Sequence, residues 1–268
     1  MTSRLDAALA ARGLARSRTH AAGLITAGLV SVDGRPVVKA SAPVRDDAEI
    51  TVAGADHYVS RAAHKLIAGL DAFRITVDGR RALDMGASTG GFTQVLRERG
   101  ARPVLAVDVG HGQLAAEIAA DPDVIAVEGF NVRNLTPDAL AEMSSSDERP
   151  GIVTGDLSFI SLGLVLAPVA SVCASDTDIV LLIKPQFEVG RTAVKGGLVT
   201  DPGLRADAVS GVLWAAWDAG LGTHGIVSSP LPGTHGNQEY VVHLRTRVAD
   251  AGNPTEWMRT VDELAGAR

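Results

Sequence analysis

Hydrophobic and polar positions follow three different patterns along the chain. The first fifty residues combine two short stretches of helical periodicity with an alternating segment around a hairpin turn. Residues 53–60 show no sustained periodicity. From residue 62 onward, a helical stretch is followed by buried strands that alternate with helices, which is typical of a parallel sheet covered on both faces. The sequence therefore predicts a small N-terminal α+β domain (1–54), a linker (55–61) and a larger α/β domain (62–268).

The N-terminal domain is predicted to contain two helices, a hairpin and a further strand. Ser3 and Asp6 resemble a capping box for the first helix, and Ser17 can cap the second helix. An Asp-Gly pair at 33–34 predicts a two-residue hairpin turn. We expect the return strand of this hairpin to begin at Val37.

Seven strands are predicted in the larger domain. Their expected ranges are 81–85, 103–108, 123–128, 151–156, 178–183, 222–228 and 239–245. The helices that separate the first six are expected at 91–99, 112–120, 136–143, 161–171 and 203–219. A loop rich in proline and glycine joins the last two strands, so that pair is expected to be antiparallel. We predict a Rossmann-like seven-stranded sheet with an antiparallel last strand.

Composition restricts the class of protein. Apolar residues make up 46% of the chain and charged residues 21%, which is typical of a soluble globular protein. The single cysteine, Cys173, excludes an internal disulfide and a zinc site made of several cysteines. No pair of histidines has metal-ligand spacing, so we predict no metal.

The same sequence argues against a membrane protein. The longest uncharged stretch, residues 157–175, is interrupted by serines and a proline, and we do not expect it to span a membrane. The N-terminus lacks the apolar core of a signal peptide. We therefore expect a cytoplasmic protein.

Charge is distributed unevenly. The net charge is −6, yet up to Lys65 there are nine Lys or Arg against six Asp or Glu. A basic front on an acidic chain indicates that contact with a polyanion begins there. A solvated helix face is the alternative. The candidate RNA contacts are Arg4, Arg12, Arg16, Arg18 and Lys39.

The clearest binding motif is the glycine-rich segment RALDMGASTGGF at 81–92. It predicts a buried strand that turns tightly into a helix, as in nucleotide-binding folds. Asp108 ends the next strand, 22 residues after Gly86, where a carboxylate can accept hydrogen bonds from a ribose. Asp84 would repel a pyrophosphate and attract a cationic amine or sulfonium. The segment favours S-adenosylmethionine, and a nicotinamide-dependent oxidoreductase is the competing enzyme class.

The expected cofactor contacts follow from this motif. We expect Asp84 near the amino acid end of the cofactor, Asp108 at the ribose and Asn131 on the adenine side. Phe92 is a further candidate contact, although both Phe92 and Phe159 fit the hydrophobic core better. An ordinary tight turn of an α/β fold is the alternative. The candidate residues of the turn itself are Gly86, Ser88, Gly90 and Gly91.

Four charged residues stand where strands end or helices begin. Lys65 precedes the first strand of the larger domain, Asp156 ends the fourth, Lys184 ends the fifth and Glu239 begins the last. Ligands of open α/β sheets bind outside the carboxyl ends of the parallel strands. An antiparallel last strand begins at that same edge, so we expect the four side chains to converge there. Solvated charges at strand ends are the alternative.

Four segments together resemble the TlyA family of ribosomal RNA ribose methyltransferases. They are DMGASTGGF at 84–92, DLSFIS at 156–161, KPQFEVG at 184–190 and GNQEY at 236–240. The N-terminal part is similar to the RNA-binding domain of the ribosomal protein S4 type. Two positions depart from the family pattern, since Tyr58 stands where tryptophan is common and His111 where tyrosine is expected.

The resemblance implies an FtsJ-like fold and transfer of a methyl group from S-adenosylmethionine to the ribose 2′-hydroxyl of cytidine in ribosomal RNA. For members of this length, it implies that both ribosomal subunits are substrates. The Lys-Asp-Lys-Glu tetrad of the family maps onto Lys65, Asp156, Lys184 and Glu239. We assign Lys184 as the base that faces the hydroxyl and Asp156 as the group that orients it. A non-catalytic RNA-binding factor and a membrane-active haemolysin are the alternatives.

One loop near the tetrad has two interpretations. Residues 189–202 contain three glycines and Lys195, and they follow Lys184 closely. Such a loop could close over the substrate nucleotide, and a plain surface loop is the alternative.

Overall fold

The computed structural model describes residues 2–15, 17–26, 28–52, 57–190, 194, 196–233, 235–247 and 252–267. The chain divides into two units, Met1–His57 and Tyr58–Arg268. The proposed domain boundary at 54 and the first residues of the proposed linker lie outside the described residues. The same is true of Arg16, a predicted RNA contact, and of Lys195.

The first unit contains two helices and two small sheets. Its elements are β1 (Thr2–Arg4), α1 (Leu5–Ala11), α2 (Arg18–Thr26), β2 (Val30–Val32), β3 (Arg35–Pro36), β4 (Pro43–Arg45) and β5 (Ile50–Val52). Strand β1 pairs with β4, and β2 lies between β3 and β5, with all pairs antiparallel. Leu5, Leu9 and Ile25 are fully buried and join the two helices in one core.

The capping box predicted at Ser3 is wrong, because Ser3 lies in β1 and pairs with Val44. The strand runs directly into α1, and the first N–H groups of the helix bond to backbone carbonyls: Leu5 to Ala42 at 2.8 Å and Asp6 to Ala40 at 3.0 Å. The neighbouring backbone therefore satisfies donors that a capping side chain would otherwise satisfy.

Two other predictions for this unit have different outcomes. Ser17 caps α2 as predicted, since its Oγ accepts a bond from the N–H of His20 at 3.1 Å. The return strand begins at Arg35 rather than at Val37. Asp33 and Gly34 both adopt positive φ, 48° and 74°, so the turn is complete within these two residues and pairing starts at once.

The second unit is a seven-stranded sheet with helices on both faces. Its strands are β6 (Ala82–Met85), β7 (Val104–Asp108), β8 (Val124–Glu128), β9 (Ile152–Gly155), β10 (Asp178–Ile183), β11 (Leu221–Ser228) and β12 (Tyr240–Thr246). Its helices are α3 (Ala63–Phe73), α4 (Gly91–Glu98), α5 (Ala116–Ala119), α6 (Pro137–Ser144), α7 (Leu166–Val172), α8 (Pro185–Glu188), α9 (Pro202–Asp218) and α10 (Met258–Ala265).

The strand order is β11-β12-β10-β9-β6-β7-β8. Strands β6 to β10 run parallel, and β12 is antiparallel to both β10 and β11. The predicted fold class and the antiparallel last strand are therefore confirmed. Within the described residues, no helix is both long and apolar enough to cross a membrane.

Alternate residues of each central strand enter different cores. Leu181 belongs to the core formed with α7 and α9, whereas Val180 and Leu182 belong to the core formed with α3 and α4. This arrangement explains why β10 is a continuous apolar run from Ile179 to Ile183. Because β10 is buried on both faces, its position is fixed, and Lys184 directly after it lies at a fixed position at the sheet edge.

Two predicted helices are shorter than expected. The segment 161–171 forms a 3₁₀ turn, Leu162–Leu164, followed by α7. The ring of Pro168 is incompatible with a continuous helix because it clashes with the carbonyl four residues earlier, that of Leu164. The segment 112–120 is helical only over α5. Its first residue, Gly112, has a φ of +63°, which is not helical.

Candidate active site

Two adjoining cavities lie at the edge where the parallel strands end and β12 begins. The larger cavity has a volume of about 700 Å³ and is lined by residues that follow β6, β7, β8 and β9. The smaller cavity, about 220 Å³, is lined by the glycine-rich turn and the start of α3 together with charged residues from the strand ends. Gly86, Ser88, Asp156 and Ser158 line both cavities, so these two spaces are neighbours.

The four predicted charged residues all line the smaller cavity. They form two ion pairs. The Nζ atom of Lys65 lies 2.5 Å from Oε2 of Glu239, and the Nζ atom of Lys184 lies 2.6 Å from Oδ1 of Asp156. Lys184 also donates a hydrogen bond to Oγ of Ser158 at 2.8 Å. The structure thus brings both lysines into one cavity, as the sequence predicted.

Sheet register explains this convergence. Gly155, the last residue of β9, pairs with Leu181 of β10, so Asp156 leaves the sheet beside the end of β10. Ile183 pairs with Tyr240, which places Glu239 at the same edge. The loop before β12 also packs closely on Glu239, because a Cβ at Gly233 would lie only 2.3 Å from Oε1 of that carboxylate. A side chain at position 233 would therefore displace Glu239.

The glycine-rich turn holds the carboxylate that was predicted to face a ribose. Ser88 adopts a left-handed φ of +48°, and its N–H donates to Oδ2 of Asp108 at 2.8 Å. The N–H of Gly110 donates to Oδ1 at 2.7 Å. A carboxylate has about four lone-pair sites, so Asp108 retains acceptor capacity toward a ligand in the larger cavity, which it lines.

The other predicted cofactor contacts occupy different positions around the cavities. Gly91 and Phe92 line the smaller cavity, and Gly90 is the N-cap residue of α4. Asn131 lines the larger cavity, and its Oδ1 accepts a bond from the N–H of Arg133 at 3.1 Å.

Asp84 differs from these residues because it is completely buried. Its carboxylate accepts hydrogen bonds from Oγ1 of Thr93 at 2.7 Å and Oγ1 of Thr154 at 3.0 Å. Burial raises the pKa of Asp84 to about 6, although the two hydroxyl groups oppose the shift. The structure therefore places Asp84 inside the domain, bonded to α4 and to β9, and it lines neither cavity.

The expectation that Phe159 packs in the core is wrong. Phe159 is 91% exposed, and its φ of +64° is rare for a bulky residue. Its ring lies 5.3 Å from that of Phe187, centroid to centroid. Phe159 lies in the loop after β9, and hydrophobicity alone does not predict that its side chain is exposed there.

Sequence reasoning missed several residues of the site. Ser158 bonds to Lys184, and Arg61 lines the smaller cavity and donates to the carbonyl of Pro232 at 3.1 Å. The buried amide of Asn237 bonds to the N–H of Val199 and the carbonyl of Gly197, at 2.9 and 2.7 Å. Ser158 lies inside the motif DLSFIS and Asn237 inside GNQEY, so the sequence contained a signal for both residues, but no individual role was predicted for either.

The predicted RNA contacts of the first unit are held in different ways. The guanidinium groups of Arg4 and Arg18 both bond to Asp6, at 2.9–3.0 Å and 3.2 Å, and both arginine side chains are more than half exposed. These bonds, chiefly the one from Arg4, hold the pKa of Asp6 well below its usual range. Lys39 is exposed. Arg12 instead donates to three carbonyls of its own unit, those of Arg45, Asp46 and Ala48.

The lining of the larger cavity fits a nucleoside cofactor. Its volume lies in the range of small-molecule sites. Val107, Val132 and Leu157 supply apolar surface for a flat base, whereas Asp108 and Asn131 supply polar groups. This donor set suits the adenosine part of S-adenosylmethionine. Among the described residues, no group of three or more His, Cys, Asp or Glu side chains could hold a metal ion.

Comparison with known proteins identifies the class. The family model described as FtsJ-like methyltransferase matches residues 58–246, and the S4 domain model matches residues 3–50. The 16S/23S rRNA (cytidine-2′-O)-methyltransferase TlyA of Mycobacterium tuberculosis is 50% identical over 248 residues, which cover 91% of this chain and 90% of that protein. Hemolysin A of Brachyspira hyodysenteriae is 37% identical, over 90% of this chain and 99% of that protein.

A solved structure agrees. A protein from Streptococcus thermophilus that is named a hemolysin matches with a TM-score of 0.77 and 33% identity, over 99% of this chain and 95% of that chain. Fold, site and family models together define a methyltransferase with an S4 domain in front of it. The chain belongs to the TlyA family of FtsJ-like methyltransferases, and the resemblance inferred from its motifs is confirmed.

Proposed function

We propose that this protein transfers a methyl group from S-adenosylmethionine to the ribose 2′-hydroxyl of cytidine in ribosomal RNA, in both the small and the large subunit. The observation that carries the proposal is the meeting of two Lys-carboxylate pairs in a cavity that adjoins a nucleoside-sized one. The relative from Mycobacterium tuberculosis supports the choice of cytidine and of both subunits, because its name states that activity.

S-adenosylmethionine, when bound, supplies a methyl group already activated by its sulfonium. In the larger cavity, Asp108 would accept hydrogen bonds from its ribose, Asn131 would lie on the adenine side, and Val107 and Val132 would supply apolar surface for the base; these residues line that cavity. Asp84 acts indirectly, because its bond to Thr93 joins β6 to α4, the two elements that the turn with Ser88 connects. These assignments follow from the residues that line the cavity and from the donors that already hold Asp108 and Asp84.

Proton removal is assigned to the residues that line the smaller cavity. A ribose hydroxyl is weakly acidic, so a base assists its attack. In its neutral form, Lys184 takes the hydroxyl proton on Nζ while the new oxygen–carbon bond forms and the carbon–sulfur bond breaks, so that S-adenosylhomocysteine is the leaving group. Asp156 and Ser158 contact Nζ and fix its position. Lys65 and Glu239, which bond to each other, orient the ribose from the other side.

RNA binding is assigned to the S4 domain. Arg4, Arg18 and Lys39 present exposed cations there, and phosphate contacts of this kind position a substrate without choosing its sequence. Arg16 is proposed as a further contact. Arg12 holds its own unit together, so we assign it a structural part. Near the site, the exposed ring of Phe159 offers a surface on which an RNA base can stack.

Two experiments test the proposal. The first maps ribose methylation in rRNA from cells with and without the protein. We expect cytidine 2′-O-methylation to disappear from both subunits, and an unchanged map would refute the proposal. The second measures the melting temperature of the purified protein with ligands added. Adenosylhomocysteine should raise the melting temperature and NAD should not, whereas the opposite result would favour an oxidoreductase.

A further inference from the structure

Glu188 is a partly buried carboxylate near the site to which the mechanism above gives no part. It is the last residue of α8, the short helix that follows Lys184 directly. Its Oε2 accepts a hydrogen bond from Oγ of Ser161 at 2.6 Å, and its Oε1 accepts one from the N–H of Leu162 at 2.9 Å. Burial raises the pKa of Glu188, although these two bonds oppose the shift. Both oxygens are thus used to hold a neighbouring segment.

The segment that Glu188 holds is a wall of the larger cavity. All six residues of the loop 156–161 line that cavity, and Asp156 and Ser158 line the smaller one as well. The same loop contains Phe159 in the left-handed backbone region. A bulky residue in that region costs free energy, so other contacts must offset the cost. The loop therefore needs anchors on both sides of Phe159.

The anchors come from the segment 184–188. Lys184 contacts Asp156 and Ser158 at the beginning of the loop 156–161. The ring of Phe187 contacts that of Phe159 in the middle. Glu188 bonds to Ser161 and to the residue after it at the end. Lys184 and Glu188 thus hold opposite ends of the loop 156–161, and Phe187 contacts its middle.

We propose that Glu188 is a positioning residue for methyl transfer. Through Ser161 and Leu162, it holds the loop 156–161 in the conformation in which Asp156 and Ser158 contact Lys184. The inference rests on the proposed function for its catalytic consequence, while its structural consequence stands independently. Loss of Glu188 loosens one wall of the larger cavity and leaves the pair Lys65–Glu239 on the other side intact.

The test compares Glu188→Ala with Glu188→Gln in the full chain. The alanine variant loses both acceptors, whereas the glutamine variant keeps one oxygen that can accept the N–H of Leu162. Glu142→Ala is the matched control, because Glu142 is exposed on α6 and lines neither cavity. Three quantities are measured: amide hydrogen exchange, the dissociation constant of adenosylhomocysteine, and the kcat and KM of methyl transfer to rRNA.

In Glu188→Ala, we expect amide exchange at residues 157–163 to accelerate on the order of tenfold, with the exchange of β12 unchanged. The dissociation constant of adenosylhomocysteine should rise, and kcat should fall, each by a factor similar to the acceleration of exchange. The KM for rRNA should change little. Glu188→Gln should lie between wild type and the alanine variant, and Glu142→Ala should match wild type.

Two results would overturn the inference. One is wild-type exchange and wild-type ligand affinity in Glu188→Ala. The other is faster exchange spread equally through β12 and α9, which would show a general loss of stability. Glu188→Gln keeps the inference testable if the alanine variant does not fold. If the wild-type protein methylates no rRNA, the proposed function fails, and the exchange data still decide whether Glu188 holds the loop.

Discussion

Strand β10 carries a buried charged residue at each of its ends, and the two have different surroundings. Lys184, after the last residue of the strand, has one carboxylate and one hydroxyl as partners and lines a cavity. Asp178, the first residue, accepts bonds from three cationic or ionisable side chains at 2.6–2.7 Å and lines neither of the two cavities described above. Its partners are Arg80, His243 and Arg245.

The difference favours a role in ligand binding for the Lys184 end and a structural role for the Asp178 end. Burial alone would raise the pKa of Asp178, but the hydrogen bonds from His243, Arg245 and Arg80 outweigh it and hold that pKa well below the usual range. A carboxylate so fully engaged has little capacity left for a ligand. In the Lys184–Asp156 pair, one cation meets one carboxylate, and both side chains line the smaller cavity. We therefore expect a catalytic role only for a buried charge that has a single charged partner and borders a cavity.

The largest effect is expected from removal of the charge at the cavity end. Lys184→Ala should lower methyl transfer by roughly 10²–10⁴-fold, because the base for the hydroxyl is lost. Affinity for adenosylhomocysteine should fall far less than methyl transfer, since Lys184 lines only the smaller cavity and acts on the larger one only through the loop 156–161. Transfer of labelled methyl groups to rRNA and calorimetric binding measure the two quantities. Arg245→Met, at the opposite end, is the control and should keep kcat; full activity of Lys184→Ala would remove the lysine from the mechanism.

The opposite result is expected at the other end of the strand. Asp178→Asn should lower the free energy of unfolding by about 1–3 kcal/mol, because Arg80 and Arg245 lose a charged acceptor while their guanidinium groups stay partly exposed to solvent. Activity at low temperature should persist. Urea unfolding and kcat of the same samples test this prediction. A stable variant that lacks activity would contradict the structural assignment.

At acidic pH, the difference in free energy of unfolding between Asp178→Asn and wild type should become smaller. The pKa of Asp178 is lower in the folded state than in the unfolded state. Its stabilising contribution is therefore complete above the unfolded pKa, about 3.9, and is lost as the pH falls through the folded pKa. Urea unfolding between neutral and acidic pH checks the sign.

Sequence reasoning predicted the charged edge of the sheet well, for a physical reason. The strands are buried on both faces, so their apolar runs define where each one ends, and a charged residue directly after such a run must lie at the edge. Lys184 and Asp156 follow this rule. Glu239 required one additional step, the recognition that the last strand runs antiparallel.

Features that depend on contacts between distant segments could not be predicted. Glu188 and Ser161 are 27 residues apart in the chain, and nothing in either local pattern indicates that they bond. The exposure of Phe159 depends on a single left-handed φ. In the first unit, Ser3 has the sequence of a cap, but pairing with β4 takes precedence over that local preference. Only Ser3 is a case of a local signal overridden by a tertiary contact; for the other two features the local sequence carries no signal.

Asp84 offers a third case, a buried carboxylate whose two partners are neutral hydroxyl groups. Its folded pKa, about 6, lies above the unfolded value. Its contribution to stability is therefore fully present below the unfolded pKa and is lost as the pH rises through the folded one. Compared with Asp84→Asn, wild type should lose about 3 kcal/mol at most between about pH 4 and pH 7. Urea unfolding of both proteins across that range tests the sign, and a difference that does not vary with pH would contradict it.

The smallest effect is expected in the S4 domain, where Arg12 and Lys39 repeat the contrast between an engaged and an exposed cation. Lys39 is exposed, so Lys39→Ala should reduce the slope of log affinity for rRNA against log salt by about 1 and leave the melting temperature unchanged. Arg12 donates to three carbonyls, so the main effect of Arg12→Ala should be a lower stability of the unit rather than a change in the salt dependence of rRNA binding. Binding measured at several salt concentrations, with thermal unfolding of the same samples, separates the two. If Arg12→Ala reduced the slope in a fully folded unit while Lys39→Ala did not, the two cations would have exchanged roles, and exposure would not distinguish RNA contacts from structural ones.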